Sequence, residues 1–226
     1  MNKAKISEIF FSLQGEGPYL GTGHVFLRFC GCNLKCGFCD TRQGRFKEFT
    51  PAGLAKATAG ILSKNPAGFL SLTGGEPLLW HEFIFEFLNK FKRKNLAAYL
   101  ETNGVLYRNF AEIKDKIDVV AMDLKLPSAT GCASFWKEHE MFLREARGKR
   151  LFLKSVITMS ALETDLKKAS NLIRKFDKNL IFVLQPNHFE LSDELTSKLF
   201  RFQRIAGRIL KDVRIIPQIH KYMGVR

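Results

Sequence analysis

The feature that most constrains this chain is an alternation, sustained along most of its length, of short apolar runs with longer amphipathic segments. Strand-like runs occupy 5–11, 24–29, 69–72, 96–100, 117–122, 151–157, 180–184 and 213–216. Helical segments are expected at 51–64, 82–94, 108–116, 134–147, 163–176 and 193–211, the first opened by Thr50 as cap and Pro51 in the first turn. Strands separated by helices of this length require right-handed crossovers and a mostly parallel sheet. About six such units are too few for a closed eight-stranded barrel, so the fold class expected is α/β, a partial, open βα barrel. With 226 residues, 46% of them apolar, the chain can bury one full core, and 1–226 is read as a single domain.

In such folds ligands gather at the carboxyl ends of the strands, and that is where the chemically unusual residues fall. Residues 30–39, 73–77, 101–104, 123–125 and 185–186 each follow an apolar strand, so all five segments should face one cavity. An earlier loop, about 11–18, carries Gln14-Gly15-Glu16-Gly17-Pro18, in which two glycines allow close backbone approach. Glu16 there is either an exposed loop carboxylate or a ligand contact.

Four of the five cysteines lie in one short stretch, Phe29-Cys-Gly-Cys-Asn-Leu-Lys-Cys-Gly-Phe-Cys-Asp-Thr41. Cys32, Cys36 and Cys39 form C-x3-C-x2-C. Three readings compete: a zinc site using Cys30, Cys32, Cys36 and Cys39, an iron–sulfur site using three of them, and incidental buried thiols. Structural zinc usually draws on two separated knuckles, and no second pair exists here. A cubane cluster normally takes four cysteines, so a loop giving three leaves one iron open to another ligand. Clustered, odd-numbered cysteines argue for metal in a reducing compartment and against a disulfide framework. Cys132 reads as a lone structural thiol.

The net charge of +14, from 36 Lys and Arg against 22 Asp and Glu, suits anionic ligands, an acidic protein partner or nucleic acid. No apolar run reaches the roughly 18 residues of a membrane span, and the polar start at 1–5 lacks a secretion signal, so a cytoplasmic location is expected. On the last helix Lys198, Arg201, Arg204, Arg208 and Lys211 recur opposite an apolar stripe of Leu195, Leu199, Phe202, Ile205 and Ile209. That pattern is a solvated face or, functionally, a dock for an acidic donor or RNA. The 21 phenylalanines read as packing and not as a base-stacking platform.

The cysteine loop, with an aromatic before its last cysteine, and the strand end Leu72-Thr73-Gly74-Gly75-Glu76-Pro77 together resemble the radical S-adenosylmethionine superfamily. Within it the chain is similar to the 7-carboxy-7-deazaguanine synthase family. The residues that carry this narrower likeness are Glu8-Ile9-Phe10, Ser12-Leu13-Gln14-Gly15-Glu16-Gly17, Cys39-Asp40-Thr41, Glu101-Thr102-Asn103-Gly104 and Pro217-Gln218-Ile219-His220-Lys221. They span the whole chain.

The resemblance implies a [4Fe–4S] cluster on Cys32, Cys36 and Cys39, with S-adenosylmethionine chelating the fourth iron and yielding a 5′-deoxyadenosyl radical on reduction. Phe38, Asp40, Gly74, Gly75, Glu76, Asp123, Lys125 and Gln185 are the implied cofactor contacts. The implied substrate is 6-carboxy-5,6,7,8-tetrahydropterin, contracted to 7-carboxy-7-deazaguanine with loss of ammonia. Leu13, Gln14, Gly15 and Glu16 would meet its amino-pyrimidine edge and Arg28 its carboxylate, with Thr73, His220 and the Arg226 carboxylate as further contacts. Thr41 would help hold Mg2+. A homodimer and an acidic flavodoxin or ferredoxin as electron donor are also implied.

One segment departs from the family pattern. Asp123-Leu124-Lys125 stands where the better-known synthases have Ser-Pro-Lys, and Asp-x-Lys is familiar from glycyl-radical activating enzymes. An activating enzyme acting on a protein glycine is therefore the alternative enzyme reading. A zinc-stabilised, basic RNA-binding module is the non-enzyme one.

Overall fold

The computed structural model describes residues 2–40, 44–91 and 95–225. Its nine strands are β1 (Ala4–Leu13), β2 (Gly23–Phe29), β3 (Lys47–Phe49), β4 (Phe69–Gly74), β5 (Ala97–Thr102), β6 (Val119–Asp123), β7 (Arg150–Ile157), β8 (Ile181–Pro186) and β9 (Asp212–Ile215). The α-helices are α1 (Pro51–Leu62), α2 (His81–Lys90), α3 (Tyr107–Ile113), α4 (Pro127–Thr130), α5 (Trp136–Glu145), α6 (Glu163–Asp177), α7 (Asp193–Gly207) and α8 (Ile219–Met223). Among the described residues the strands form one sheet, in the order β3-β1-β2-β4-β5-β6-β7-β8-β9. From β2 to β9 every pairing is parallel, while β1 runs antiparallel to both β2 and β3. The sheet is open, as the alternation predicts.

The expected elements are present, with shifted ends. α2 begins one residue early and stops at Lys90, and residues 92–94 lie outside the described residues. The predicted helix over 108–116 is α3 followed by a 3-10 turn at Lys114–Lys116, and α7 ends at Gly207, four residues short of the expected boundary. β3, α4 and α8 have no counterpart in the sequence reading. Thr50 caps α1 as expected, its hydroxyl accepting the Gly53 amide at 3.2 Å behind Pro51.

Alternation along each strand sorts side chains between two faces. The outer face carries Val25, Leu27, Phe29, Leu70, Leu72, Leu100, Val120, Met122, Leu153, Phe182 and Leu184, packed against buried helix positions such as Phe83 and Phe87 of α2 and Phe142 of α5. The inner face is a continuous apolar cluster at the amino-terminal half of the strands. There Tyr99, Val119, Ala121, Phe152 and Val183 form a small second core with Tyr19 packed on it. Moving two residues toward each carboxyl end, the same face turns polar: Glu101 follows Tyr99, Asp123 follows Ala121, Lys154 follows Phe152 and Gln185 follows Val183. Arg28 on β2 stands in register with Thr73 on β4, and Asp123 on β6 with Lys154 on β7. The apolar plug therefore supports a floor of six polar side chains.

α7 keeps the predicted division of faces, with Leu195, Leu199 and Phe202 buried and Arg201 and Arg204 exposed; Arg208 and Lys211, also exposed, lie beyond its end. Arg201 pairs with Glu163 of α6 at 3.2 Å, and Lys198 donates to the Met159 carbonyl at 2.6 Å. Most phenylalanines are core residues, although Phe46, Phe189 and Phe200 are exposed.

Candidate active site

Above that floor lies a cavity of about 720 Å3 whose wall includes Cys32, Cys36, Cys39, Gly74, Gly75, Glu16 and all six polar strand-end residues. This is within the roughly 300–1,000 Å3 of ordinary ligand clefts. The five strand-end segments do converge. Cys30 does not line the cavity. Its amide donates to Lys5 O at 2.9 Å and its carbonyl accepts Trp80 Nε1 at 2.7 Å, so it anchors the base of the loop.

Two glycines fasten the cysteine loop to the end of β4. The Gly75 amide donates to Phe29 O at 3.1 Å and the Glu76 amide to Gly31 O at 2.8 Å. A Cβ at Gly75 would fall 2.0 Å from Gly31 O, and one at Gly74, whose φ is 131°, would fall 2.1 Å from Phe29 O. Only hydrogen fits there. On the far side Gly37 N donates to Thr130 O at 2.9 Å, which also brings Cys132 beside Cys36, so Cys132 is not the isolated thiol the sequence suggests.

Burial pushes the Cys36 thiol up to about 12, with Cys132 and Asp123 opposing its ionisation and Lys125 favouring it. Such a thiol becomes a thiolate only when a metal takes up the charge. Among the described residues no three His, Cys, Asp or Glu are gathered closely enough for a single ion. A cubane, which places each thiolate on a different iron, needs no such convergence.

Glu76 is fully buried and is not part of the cavity wall. Its carboxylate accepts Leu78 N at 3.1 Å, Thr102 Oγ1 at 2.8 Å and Asn103 N at 2.8 Å, tying the β4 and β5 ends together. Burial raises its pKa to about 7 against the pull of those donors. Asp123 does line the cavity. One of its oxygens accepts Lys125 Nζ at 2.8 Å, and the other, Oδ1, is buried without a partner. Gln185 Oε1 is buried and unpartnered in the same way. Two unmatched acceptors in one cavity wall call for ligand donors. Lys125 also lies 5.3 Å from the Phe38 ring, and Asp40 pairs with Lys221 at 2.8 Å. These features fit a cluster and a nucleoside cofactor carrying an amino group and hydroxyls.

In the same cavity the early loop is wired from both sides. Glu16 N donates to Gln14 Oε1 at 3.1 Å, while Gln14 Nε2 donates to Glu101 Oε1 at 3.0 Å. The other Glu101 oxygen accepts Thr73 Oγ1 at 2.7 Å. Glu16 itself accepts from Gln218 Nε2 at 2.7 Å and from Lys154 Nζ. Burial alone would raise its pKa, but Lys154 holds it well below the usual carboxylate range. α8 closes over this loop: Ile219 N donates to Gly15 O at 2.9 Å, and the His220 ring occupies the space a Cβ on Gly15 would need. Burial lowers the pKa of His220. Arg28 donates to Glu8 at 2.8 Å.

Of the residues expected in the site, Leu13, Gln14, Gly15, Glu16, Arg28, Phe38, Asp40, Thr73, Gly74, Gly75, Asp123, Lys125, Gln185 and His220 line this one cavity. Glu76 lies behind its wall, and Thr41 and Arg226 lie outside the described residues. Glu101 lies in the cavity wall as expected of segment 101–104, although sequence reasoning assigned it no role, whereas Lys154 and Gln218 were missed as cavity residues. For Lys154 a signal existed: like Glu101, it is a charged residue two places after an inner-face apolar one in a strand.

Residues 27–154 match the family model described as Radical SAM superfamily. Over 245 aligned residues the chain is 35% identical to the 7-carboxy-7-deazaguanine synthase of Geobacter sulfurreducens, covering 98% of this chain and 97% of the other. It belongs to the 7-carboxy-7-deazaguanine synthase family of radical S-adenosylmethionine enzymes. The enzyme of the same name from Thermoplasma acidophilum is 36% identical across 96% of this chain and 95% of its own. In fold the chain is similar to QueE from Escherichia coli, with a TM-score of 0.67 at 19% identity, covering 96% and 94% of the two chains. Membership brings the cofactors of that chemistry, a [4Fe–4S] cluster, S-adenosylmethionine and Mg2+, and sets aside the activating-enzyme and RNA-binding alternatives.

Proposed function

We propose that the chain is a carbon–nitrogen lyase that converts 6-carboxy-5,6,7,8-tetrahydropterin to 7-carboxy-7-deazaguanine with release of ammonia, on the route to queuosine and related deazapurines. The observation that carries this reading is the wiring of the early loop over the strand-end floor. Thr73 Oγ1 and Gln14 Nε2 each donate a hydrogen bond to Glu101, and Lys154 holds Glu16 ionised, so this part of the cavity offers acceptors. An amino-pyrimidine edge is rich in donors. Arg28, fixed by Glu8, supplies the opposite chemistry for a carboxylate.

The cluster and S-adenosylmethionine supply the hydrogen-abstracting radical chemistry that no side chain can provide. Cys32, Cys36 and Cys39 would hold the cluster. Phe38 and Asp40 would flank the nucleoside, Gly74 and Gly75 would meet the amino acid end with Glu76 bracing them from behind, and Asp123, Lys125 and Gln185 would complete the contacts. Leu13, Gln14, Gly15, Glu16, Thr73 and His220 would orient the pterin and exclude water, joined by Arg226 and by Thr41 at Mg2+. The unit is 1–226 with its substrate loop at about 11–18. It works as a cytoplasmic homodimer reduced by an acidic flavodoxin or ferredoxin, which the basic charge of the chain favours; among the described residues no helix is long and apolar enough to cross a membrane.

The test is anaerobic reconstitution with iron and sulfide, followed by reductant, S-adenosylmethionine, Mg2+ and 6-carboxytetrahydropterin. The deazapurine product is expected. Cofactor cleavage without that product contradicts the substrate assignment.

A further inference from the structure

Lys154 is a lysine in the interior of a parallel sheet, a costly place for a charge unless carboxylates surround it. Its side chain is 13% exposed. From the inner face of β7 its ammonium reaches the Glu16 carboxylate of the substrate loop, and it lies 3.9 Å from Asp123 Oδ2 on β6. Glu101 also adds to the negative field around it. Lys125 offsets part of the Asp123 charge at 2.8 Å. Arg28 is engaged by Glu8 and Lys221 by Asp40, so neither is placed to serve Glu16 in its stead.

We propose that Lys154 is a positioning residue that links the substrate end of the cavity to its cofactor end, fixing Glu16 as an anionic, acceptor-only contact for the pterin while balancing the carboxylate that Asp123 brings. This inference rests on the reading of the cavity as a pterin site and adds a residue to it. Two features of the chain follow from it. Asp123 stands where the related pattern carries an uncharged serine, and a carboxylate there, grouped with Glu16 and Glu101 around one ammonium, needs the second lysine that β7 supplies in register. Glu16 needs rigidity as well as charge, because it sits on a loop. Lys154 and Gln218 grip one oxygen each, leaving the remaining lone pairs of both oxygens for ligand donors.

The experiment is equilibrium binding of 6-carboxy-5,6,7,8-tetrahydropterin and, separately, of S-adenosylmethionine to the anaerobic, cluster-reconstituted enzyme and its variants. Lys154→Gln is expected to weaken pterin binding about ten- to a hundredfold, the scale of an unpaired buried charge, while S-adenosylmethionine affinity moves less than threefold. Lys154→Arg should keep most of the pterin affinity. Adding Asp123→Asn to Lys154→Gln should recover part of the loss, because the carboxylate that Lys154 balances is then gone; the split between the two ligands is what a merely structural lysine would not show. Pterin binding by Lys154→Gln within threefold of the parent overturns the proposal, as does an equal loss of both ligands with no recovery in the double variant. A parent enzyme that neither binds nor turns over the pterin sinks the substrate reading itself.

Discussion

Glu16 shows how one residue's surroundings decide its chemistry. A carboxylate in a glycine-rich loop ordinarily titrates near 4.5, and burial alone would raise that value, yet Lys154 and Gln218 hold it down to about 2. A carboxylate whose folded pKa is depressed contributes stability above its unfolded pKa and loses it as pH falls through the folded one. The Glu16–Lys154 tie should therefore support the fold fully above about pH 4.5 and weaken progressively toward about pH 2. Urea unfolding of the apoprotein at pH 5.5 and 3.5 measures this. The parent is expected to lose more stability across the interval than Glu16→Gln, and identical losses would contradict the assignment. Little of this was legible in the sequence, because Gln218 and Lys154 are 202 and 138 residues away in the chain. Local reading left Glu16 open between a solvated carboxylate and a ligand contact.

At the scale of elements, the parallel sheet and its strand ends were legible because period-2 and period-3.6 patterns are written locally. β3 was not. Lys47–Phe49 is three exposed or half-exposed residues whose strand character comes only from pairing with Ala4–Ile6. Lys154 was passed over for a related reason: within Leu-Phe-Leu-Lys-Ser-Val-Ile it reads as an interruption of an apolar run, and only the apolar plug beneath it shows that its face turns polar toward the carboxyl end. The joint between β4 and the cysteine loop gives this scale its prediction. Gly75→Ala would drive a methyl group into the Gly31 carbonyl, so bound iron per chain should fall severalfold while the far-ultraviolet circular dichroism stays that of the parent. Cys30→Ser, which alters a residue outside the cavity wall, should keep its iron, whereas Cys32→Ser should lose it. Iron loss in Cys30→Ser equal to that in Cys32→Ser would contradict the division of the loop into ligands and anchor.

For the whole molecule, the sheet brings two sets of chemistry-bearing residues into one cavity, with the polar strand ends as their common floor. The cysteine loop, Gly75, Asp123 and Gln185 line this cavity together with Glu16, Arg28, Thr73 and Glu101; in the proposed reading the first group serves the cofactor and the second the pterin. An apolar plug of Tyr99, Val119, Ala121, Phe152 and Val183 closes the bottom of the open barrel, and α8 covers the loop that carries Gly15 and Glu16. Such an enclosure serves an enzyme that must bring one hydrogen of its substrate to a reactive cofactor and keep other hydrogens away. The measurement that bears most directly on this is isotope transfer. Reconstituted enzyme is given 6-carboxytetrahydropterin deuterated at C6, and the 5′-deoxyadenosine formed with the product is analysed by mass spectrometry. Deuterium in the 5′-deoxyadenosine, together with 7-carboxy-7-deazaguanine, is the predicted result. Unlabelled 5′-deoxyadenosine with no deazapurine product would contradict the claim that the two ligands share this cavity.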